Sequence, residues 1–231
     1  MLAIEDPGGP VRVRPILVVS ILALCAHSAS AQALTRYRDF VLTSDVASVL
    51  KTAGGRETDV RTTRERPARI REIEWRTPYV AAGAGRVVDP VHDVLFSFYN
   101  DKLYRIAVSY ARERVEGMTT ADFVDSLSKT YGVTTPAAAH GAVPIDVAVD
   151  ATVVARWEDA DSLLTLTRGT YSGQFQVVLV SKTLNDSARA ALKEAARLDT
   201  QEAPQRALDL LKQEEADGQK TRDANKAGFR P

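Results

Sequence analysis

Two apolar stretches joined by a short polar turn constrain the fold of this chain most strongly. Residues 94–99 and 103–110 are rich in β-branched and aromatic side chains, and Asn100, Asp101 and Lys102 lie between them. Asparagine and aspartate tolerate the positive φ that a tight hairpin turn requires. The pattern therefore predicts an antiparallel β-hairpin, and with it a fold that contains an antiparallel sheet.

A short helix is predicted before the hairpin. Ser44 or Asp45 can cap its N-terminus, and Gly54 can end it in a left-handed conformation. Its apolar residues recur at the helical spacing i, i+3, i+4 and i+7, namely Val46, Val49, Leu50 and Ala53.

The stretch between this helix and the hairpin contains one further predicted strand. Residues 55–67 are polar and rich in arginine, and we expect a loop there. In residues 69–75, Ile73 and Trp75 alternate with charged neighbours, which predicts a half-buried strand that Pro78 ends. Residues 81–90 are small and contain glycine, and are again expected to form a loop.

The same order of elements recurs in the second half of the chain. Thr119 or Thr120 can cap a second helix that Gly132 ends, and overlaying Gly132 on Gly54 aligns the apolar stripes of the two helices. A polar loop is expected from residue 133 to about 150, and three strands follow, the first of them carrying Trp157. The matched order indicates an internal duplication more strongly than a chance likeness.

These elements predict an α+β fold of two tandem units, residues 32–115 and 116–184. Each unit comprises one helix and a three-stranded antiparallel meander, with the helices on one face of the sheet. The units would either pack against each other or join into one continuous six-stranded sheet, and both arrangements bury more apolar surface than a single unit.

Residues 185–231 are expected to form a charged helical tail. A cap is predicted at 184–187, Pro204 is expected to interrupt or kink the helix, and the end is expected to fray after Gly218. Basic and acidic side chains alternate along the tail, which is typical of a solvated helix with i,i+4 ion pairs. The alternative is an arm that binds a partner or forms a coiled coil, although no heptad pattern persists.

The N-terminus has the features of a secretory signal peptide over residues 1–31. Arg12 and Arg14 precede an apolar run at 16–26, and Ala29-Ser30-Ala31 provides a small-residue cleavage site. We therefore expect cleavage after Ala31 and a periplasmic or extracellular protein, with no stable membrane insertion after cleavage. Lipidation at Cys25 is the alternative, although the preceding residue is a leucine rather than a small side chain.

Charge and cysteine content exclude several classes of function. The chain has 30 basic and 30 acidic side chains, whereas a nucleic-acid-binding protein needs a basic surplus. Its one cysteine lies in the signal peptide, so the mature chain would have no disulfide and no thiolate metal site.

Motifs for catalysis are absent as well. The chain lacks a G-x-S-x-G elbow, an H-E-x-x-H pair, a phosphate-binding glycine loop and a C-x-x-C pair. His92 lies between Asp89 and Asp93, but strand alternation is expected to point His92 away from Asp93, which argues against a metal site. His140 is interpreted as a solvated loop residue. We predict no cofactor.

Five residues are candidates for contact with a partner. Arg64, Arg66 and Arg69 belong to an arginine group that we interpret as a solvated loop, in which interleaved acidic residues form local ion pairs with the arginines. The alternative is that the group receives an anion, such as phosphate or the carboxylates of a partner. Trp75 and Trp157 are interpreted as core anchors, and the alternative is a pair that contacts a ligand or a partner.

The second helix carries a motif with a family resemblance. Gly117-Met118-Thr119-Thr120-Ala121, followed by Leu127 and Tyr131-Gly132, resembles the G-M-[ST] helix entry of SmpA/OmlA-type envelope proteins. The tandem arrangement is also similar to that of the β-lactamase-inhibitor-protein family. Both resemblances imply a non-catalytic module that binds another protein.

The sequence therefore favours a secreted or periplasmic protein-interaction module with an unknown protein partner. The alternative is a hydrolase or a small-ligand-binding protein whose site is assembled from dispersed residues such as His92, Asp93 and Arg105.

Overall fold

The computed structural model describes residues 34–76, 89–135 and 150–230. Several predictions lie outside the described residues: the signal peptide with Cys25, His140, and most of the two loops predicted at 81–90 and 133–150.

The described residues form an α+β fold with a large antiparallel sheet. The helices are α1 (Val46–Ala53), α2 (Thr120–Tyr131) and α3 (Lys182–Gly228). The strands are β1 (Arg36–Tyr37), β2 (Phe40–Val41), β3 (Val60–Arg64), β4 (Ile70–Arg76), β5 (Val91–Tyr99), β6 (Lys102–Tyr110), β7 (Ala151–Glu158), β8 (Ser162–Gly169) and β9 (Phe175–Ser181). Strands β1 and β2 pair with each other, and the other seven form one sheet in the order β3-β4-β5-β6-β9-β8-β7.

Pairing between β6 and β9 makes this sheet continuous. The two strands are antiparallel, with Arg105 opposite Val180 and Ser109 opposite Gln176. The sheet has seven strands rather than the six expected, because β3 lies in a stretch that the sequence predicted as a loop. That prediction was wrong because β3 is an edge strand composed mainly of arginine and threonine. Backbone pairing with β4 holds it in place, so its sequence lacks the alternating apolar side chains by which a strand is recognised.

The local signals in the sequence are confirmed. The Asp45 side chain accepts a hydrogen bond from Ser48 N at the start of α1, and Gly54 ends that helix with a φ of 68°. Asn100 and Asp101 have φ values of 45° and 66°, so β5 and β6 are joined by the tight turn that was predicted. Thr119 caps α2.

The two faces of the sheet are covered by different helices. The face that we call the core face packs against α1, α2 and the β1–β2 hairpin, and it includes Phe96, Ile106 and Leu164. The opposite face packs against α3, where Ala188 contacts Ile70 and Tyr104. The first two helices thus share one face, as expected, and the C-terminal helix lies across the other.

The two tryptophans differ in burial. Trp157 is fully buried in the core, and its indole N–H donates to Gly132 O at 3.0 Å. Trp75 is half-buried and packs on Phe40, with the ring centroids 6.4 Å apart. The structure therefore makes Trp157 a core anchor, whereas Trp75 lies at the margin of the same core.

The C-terminal helix is longer and more regular than expected. It begins at Lys182 directly after β9, runs through Pro204 without a break and ends at Gly228. Two ion pairs, Arg64 with Asp199 and Arg66 with Glu202, join the turn before Pro204 to β3 and the loop after it. The predicted cap at 184–187 and the predicted interruption at Pro204 are therefore wrong, whereas the kink predicted as the alternative at Pro204 and the fraying after Gly218 stay predictions.

Candidate functional site

Two of the candidate arginines attach α3 to the edge of the sheet. Arg64 Nη2 lies 3.4 Å from Asp199 Oδ2, and Arg66 Nη2 lies 3.1 Å from Glu202 Oε2. The local partners suggested by the sequence are thus replaced by acidic residues from α3. No local pattern could have revealed these pairs, because Arg66 and Glu202 are 136 residues apart.

The third candidate arginine lies elsewhere, at the β5–β6 turn. Arg69 and Arg71 both form ion pairs with Asp101, and Arg71 Nη1 also lies 3.3 Å from Glu57 Oε1. Arg69 therefore stabilises the hairpin turn rather than joining Arg64 and Arg66 in one anion site.

Beyond these ion pairs, α3 leaves the sheet. Every side chain from residue 203 to residue 228 is exposed, and at 1.5 Å per residue this segment extends roughly 39 Å. We call it the projecting helix. Leu208 and Leu211, three residues apart on one face of the helix, are 53% and 57% exposed. Apolar side chains on such a helix form a surface suited to contact with another molecule.

A cavity lies between strands β3 to β6 and the docked part of α3. Its volume is about 350 Å³. The lining residues are Thr63, Arg64, Ile70, Glu72, Ser97, Tyr104, Arg105 and Leu192. A second cavity of about 340 Å³ is also lined by Thr63 and Arg64, and it continues beneath Ala195 and Leu198.

A β-bulge in β6 creates the polar floor of the first cavity. The register shifts between Ser97 and Phe98, so Leu103 and Ile106 both reach the core while Tyr104 and Arg105 both face α3. Sequence alternation alone would have placed those two side chains on opposite faces.

The floor is buried and charged. Ser97 is 1% exposed and Arg105 is 8% exposed, and the two residues are directly opposite each other in the sheet. On the β4 side of Ser97, Glu72 lies opposite it, and the Glu72 carboxylate accepts a hydrogen bond of 2.6 Å from Arg61. The cavity is therefore a polar site lined by both charges, in which Arg64 is paired with Asp199 and Glu72 with Arg61.

A second bulge changes the position of His92. Val91 and Val94 both reach the core, so His92 and Asp93 project from the same face, with Nδ1 and Oδ1 2.6 Å apart. The expectation that these two side chains diverge was wrong for this reason. Asp93 lies opposite Ser109 of β6, and Arg105 is four residues from Ser109 along that strand, a distance of roughly 13 Å. His92, Asp93 and Arg105 therefore do not form one site.

Metal-ligating residues are correspondingly dispersed. Over residues 34–76, 89–135 and 150–230, no three side chains of histidine, cysteine, aspartate or glutamate converge in a way that could hold a metal ion.

Three buried tyrosines form a cluster that the sequence analysis missed. Burial raises the pKa of Tyr131 to about 12, and it also raises the pKa of Tyr37 and of Tyr110. Beside them, Arg38 donates two hydrogen bonds to Asp89, at 2.6 and 2.8 Å. The hydrogen bond from Arg38 lowers the pKa of the Asp89 carboxyl. The cluster attaches the β1–β2 hairpin to the core.

Comparisons with protein-family models, curated proteins and solved structures gave no significant match. Among the described residues, no helix combines the length and the apolar content needed to cross a bilayer.

Proposed function

We propose that this chain is an exported, non-catalytic protein-interaction module that contacts its partner through the projecting helix. The observation that carries the proposal is the exposure of all side chains from 203 to 228, with Leu208 and Leu211 on one face.

The physical argument concerns how such a helix gains stability. Helices in proteins owe most of their stability to tertiary packing of an apolar face. The projecting helix has such a face, although a short one, and its two leucines, Leu208 and Leu211, are 53% and 57% exposed. A partner that covers Leu208 and Leu211 would supply the missing packing, at about 25 cal/mol per Å² of apolar surface buried.

The docked half of α3 would set the direction of this contact. Ala188, Ala191 and Ala195 are buried against the sheet, and the ion pairs of Arg64 and Arg66 hold the following turn. The projecting helix thus extends from a fixed base, which lowers the entropic cost of presenting it to a partner. Within this proposal, Arg64 and Arg66 support the interacting element from inside the molecule.

We also propose that residues 32–115 and 116–184 derive from duplication of one helix-meander unit. Strands β4-β5-β6 and β7-β8-β9 are arranged symmetrically about the β6–β9 pairing, and α1 and α2 share the core face. The symmetry of these strands supports the proposed duplication, and the resemblance to SmpA/OmlA-type and β-lactamase-inhibitor-type modules remains part of the proposal.

Export follows from the sequence of residues 1–31, and the mature protein is proposed to begin at Gln32 in the periplasm or outside the cell. N-terminal sequencing of the exported material tests this directly. Acylation at Cys25, or retention of the uncleaved segment, would overturn the proposal of a soluble mature protein.

Site-specific photocrosslinking tests the interaction itself. A photoreactive amino acid replaces Leu211 in one variant and Gln213 in the other, which lies on the opposite face of the helix. We expect a discrete crosslinked species from position 211 in intact cells, and its loss when Leu208 is changed to Glu. Equal crosslinking from both positions, or none from position 211, would contradict the proposal. A crosslink to a second copy would identify the partner as the protein itself.

A further inference from the structure

One side of the projecting helix carries a continuous stripe of exposed side chains, which extends to the residue directly after the helix. At 3.6 residues per turn, the stripe is about 60° wide and contains Leu208, Leu211, Glu215, Arg222 and Phe229. Phe229 is 75% exposed, more than either leucine. The stripe is therefore apolar at each end and charged between the ends.

The composition of this stripe is symmetrical about its middle. One point of the helix lies midway between Leu208 and Phe229 and also midway between Glu215 and Arg222. In an antiparallel pair of identical helices that meet at this point, Leu208 of each copy lies opposite Phe229 of the other, and Glu215 lies opposite Arg222. A two-fold symmetric dimer requires a surface that is complementary to itself in this way.

The two charged residues of the stripe are available for such a contact. Neither Glu215 nor Arg222 forms an ion pair within the part of the chain that the structure describes. The neighbouring pair, Asp217 and Lys220, lies on the other side of the helix, with its charged atoms 3.2 Å apart. Two copies can therefore form Glu215–Arg222 ion pairs across the middle without breaking an ion pair within either chain.

The middle of the stripe also permits close approach of two helices. Gly218 lies next to the midpoint, and a Cβ at this residue would meet no atom within 4 Å. Apolar contacts are confined to the two ends of the stripe, so the ion pairs contribute a large share of the association, and salt screens them.

We propose, on the basis of the function proposed above, that the partner of the projecting helix is a second copy of this chain, paired antiparallel with the stripe of each copy against that of the other. The symmetry of the stripe favours a second copy over an unrelated protein, because each half of the stripe is the complement of the other half.

Sedimentation velocity of the purified protein over a concentration series tests the proposal. We expect a reversible equilibrium between monomer and dimer, with a dissociation constant that rises with sodium chloride. Glu215→Arg and Arg222→Glu should each weaken the dimer at least about tenfold, because each replaces both ion pairs by contacts between like charges. The double variant should dimerise again, and so should an equimolar mixture of the two single variants, because both restore opposite charges across the helices.

Two adjacent leucines provide a matched control for the apolar ends. Leu211→Ser should weaken the dimer several-fold, whereas Leu210→Ser should leave it unchanged, because Leu210 is 62% exposed on the other side of the helix. Circular dichroism checks that each variant keeps its helix content.

A protein that is monomeric at every concentration would overturn the proposal. A dimer that the single charge reversals do not weaken, or that their mixture does not restore, would overturn it as well. Photocrosslinking from position 211 separates this result from failure of the proposed function. A monomer that crosslinks to another protein excludes self-pairing alone, whereas a monomer that crosslinks to nothing contradicts both proposals.

Discussion

Replacing Trp157 by alanine should destabilise this protein more than any other single truncation of an aromatic side chain that we consider. Trp157 is fully buried, and α2 ends directly against it, where the indole N–H donates to Gly132 O at 3.0 Å. Substitution by alanine removes the ring, leaves a cavity in the core and breaks the hydrogen bond that joins β7 to the end of α2.

The magnitude follows from these contacts. Truncating a buried large aromatic side chain to alanine costs about 3–5 kcal/mol, and loss of the hydrogen bond adds about 1 kcal/mol. The free energy of unfolding of a natural domain is about 5–15 kcal/mol, so the variant should be marginally stable. Trp157→Phe keeps most of the ring, and we expect a loss of about 1–3 kcal/mol.

Trp75→Ala is the matched comparison. Because Trp75 is half-buried and lies at the margin of the core, its truncation should cost about half as much as that of Trp157, roughly 2 kcal/mol. Urea unfolding followed by circular dichroism measures all three variants, and the m-value shows whether the transition remains cooperative.

The reasoning would be refuted by equal losses at the two tryptophans. It would also be refuted by a loss below about 1 kcal/mol for Trp157→Ala, since such a value is incompatible with a fully buried indole.

Three further predictions concern the backbone and the tyrosine cluster. A Cβ at Gly54 or at Gly218 meets no atom within 4 Å, so only the backbone conformation decides the effect of alanine there. Gly54→Ala should lower the free energy of unfolding in urea by about 1 kcal/mol, because φ is 68° at this residue. Gly218→Ala should increase the helicity measured by circular dichroism, because residue 218 lies inside α3. Pro204→Ala should restore a backbone donor within α3 and slow hydrogen exchange in the turns that follow. The pKa of Tyr131 is raised from 10.0 to about 12, so its contribution to stability is complete below about pH 10 and falls by about 1.4 kcal/mol per pH unit between about pH 10 and about pH 12. Urea midpoints at about pH 9 and about pH 11 measure this loss together with those of Tyr37 and Tyr110, and a midpoint that does not change would contradict burial of the three phenols.

The sequence by itself determined the elements whose causes are local. Asn100 and Asp101 adopt the positive φ of the hairpin turn with little cost, and Asp45 and Gly54 satisfy the ends of α1 with groups a few residues away. Such features depend on neighbours along the chain, and they can therefore be recognised without knowledge of the fold.

Only the tertiary structure decided the features that depend on distant pairing. Strand β3 exists because β4 offers it a backbone ladder. Helix α3 lies on the second face because Ala188 packs on Ile70 and Tyr104, and the ion pairs of Asp199 and Glu202 add to this packing. The two bulges follow from the register between β5 and β6, which brings His92 to Asp93 and turns Arg105 into the cavity under α3. A shift of one residue in register exchanges the faces of a strand, so the composition of this candidate site could not be predicted from alternation in the sequence.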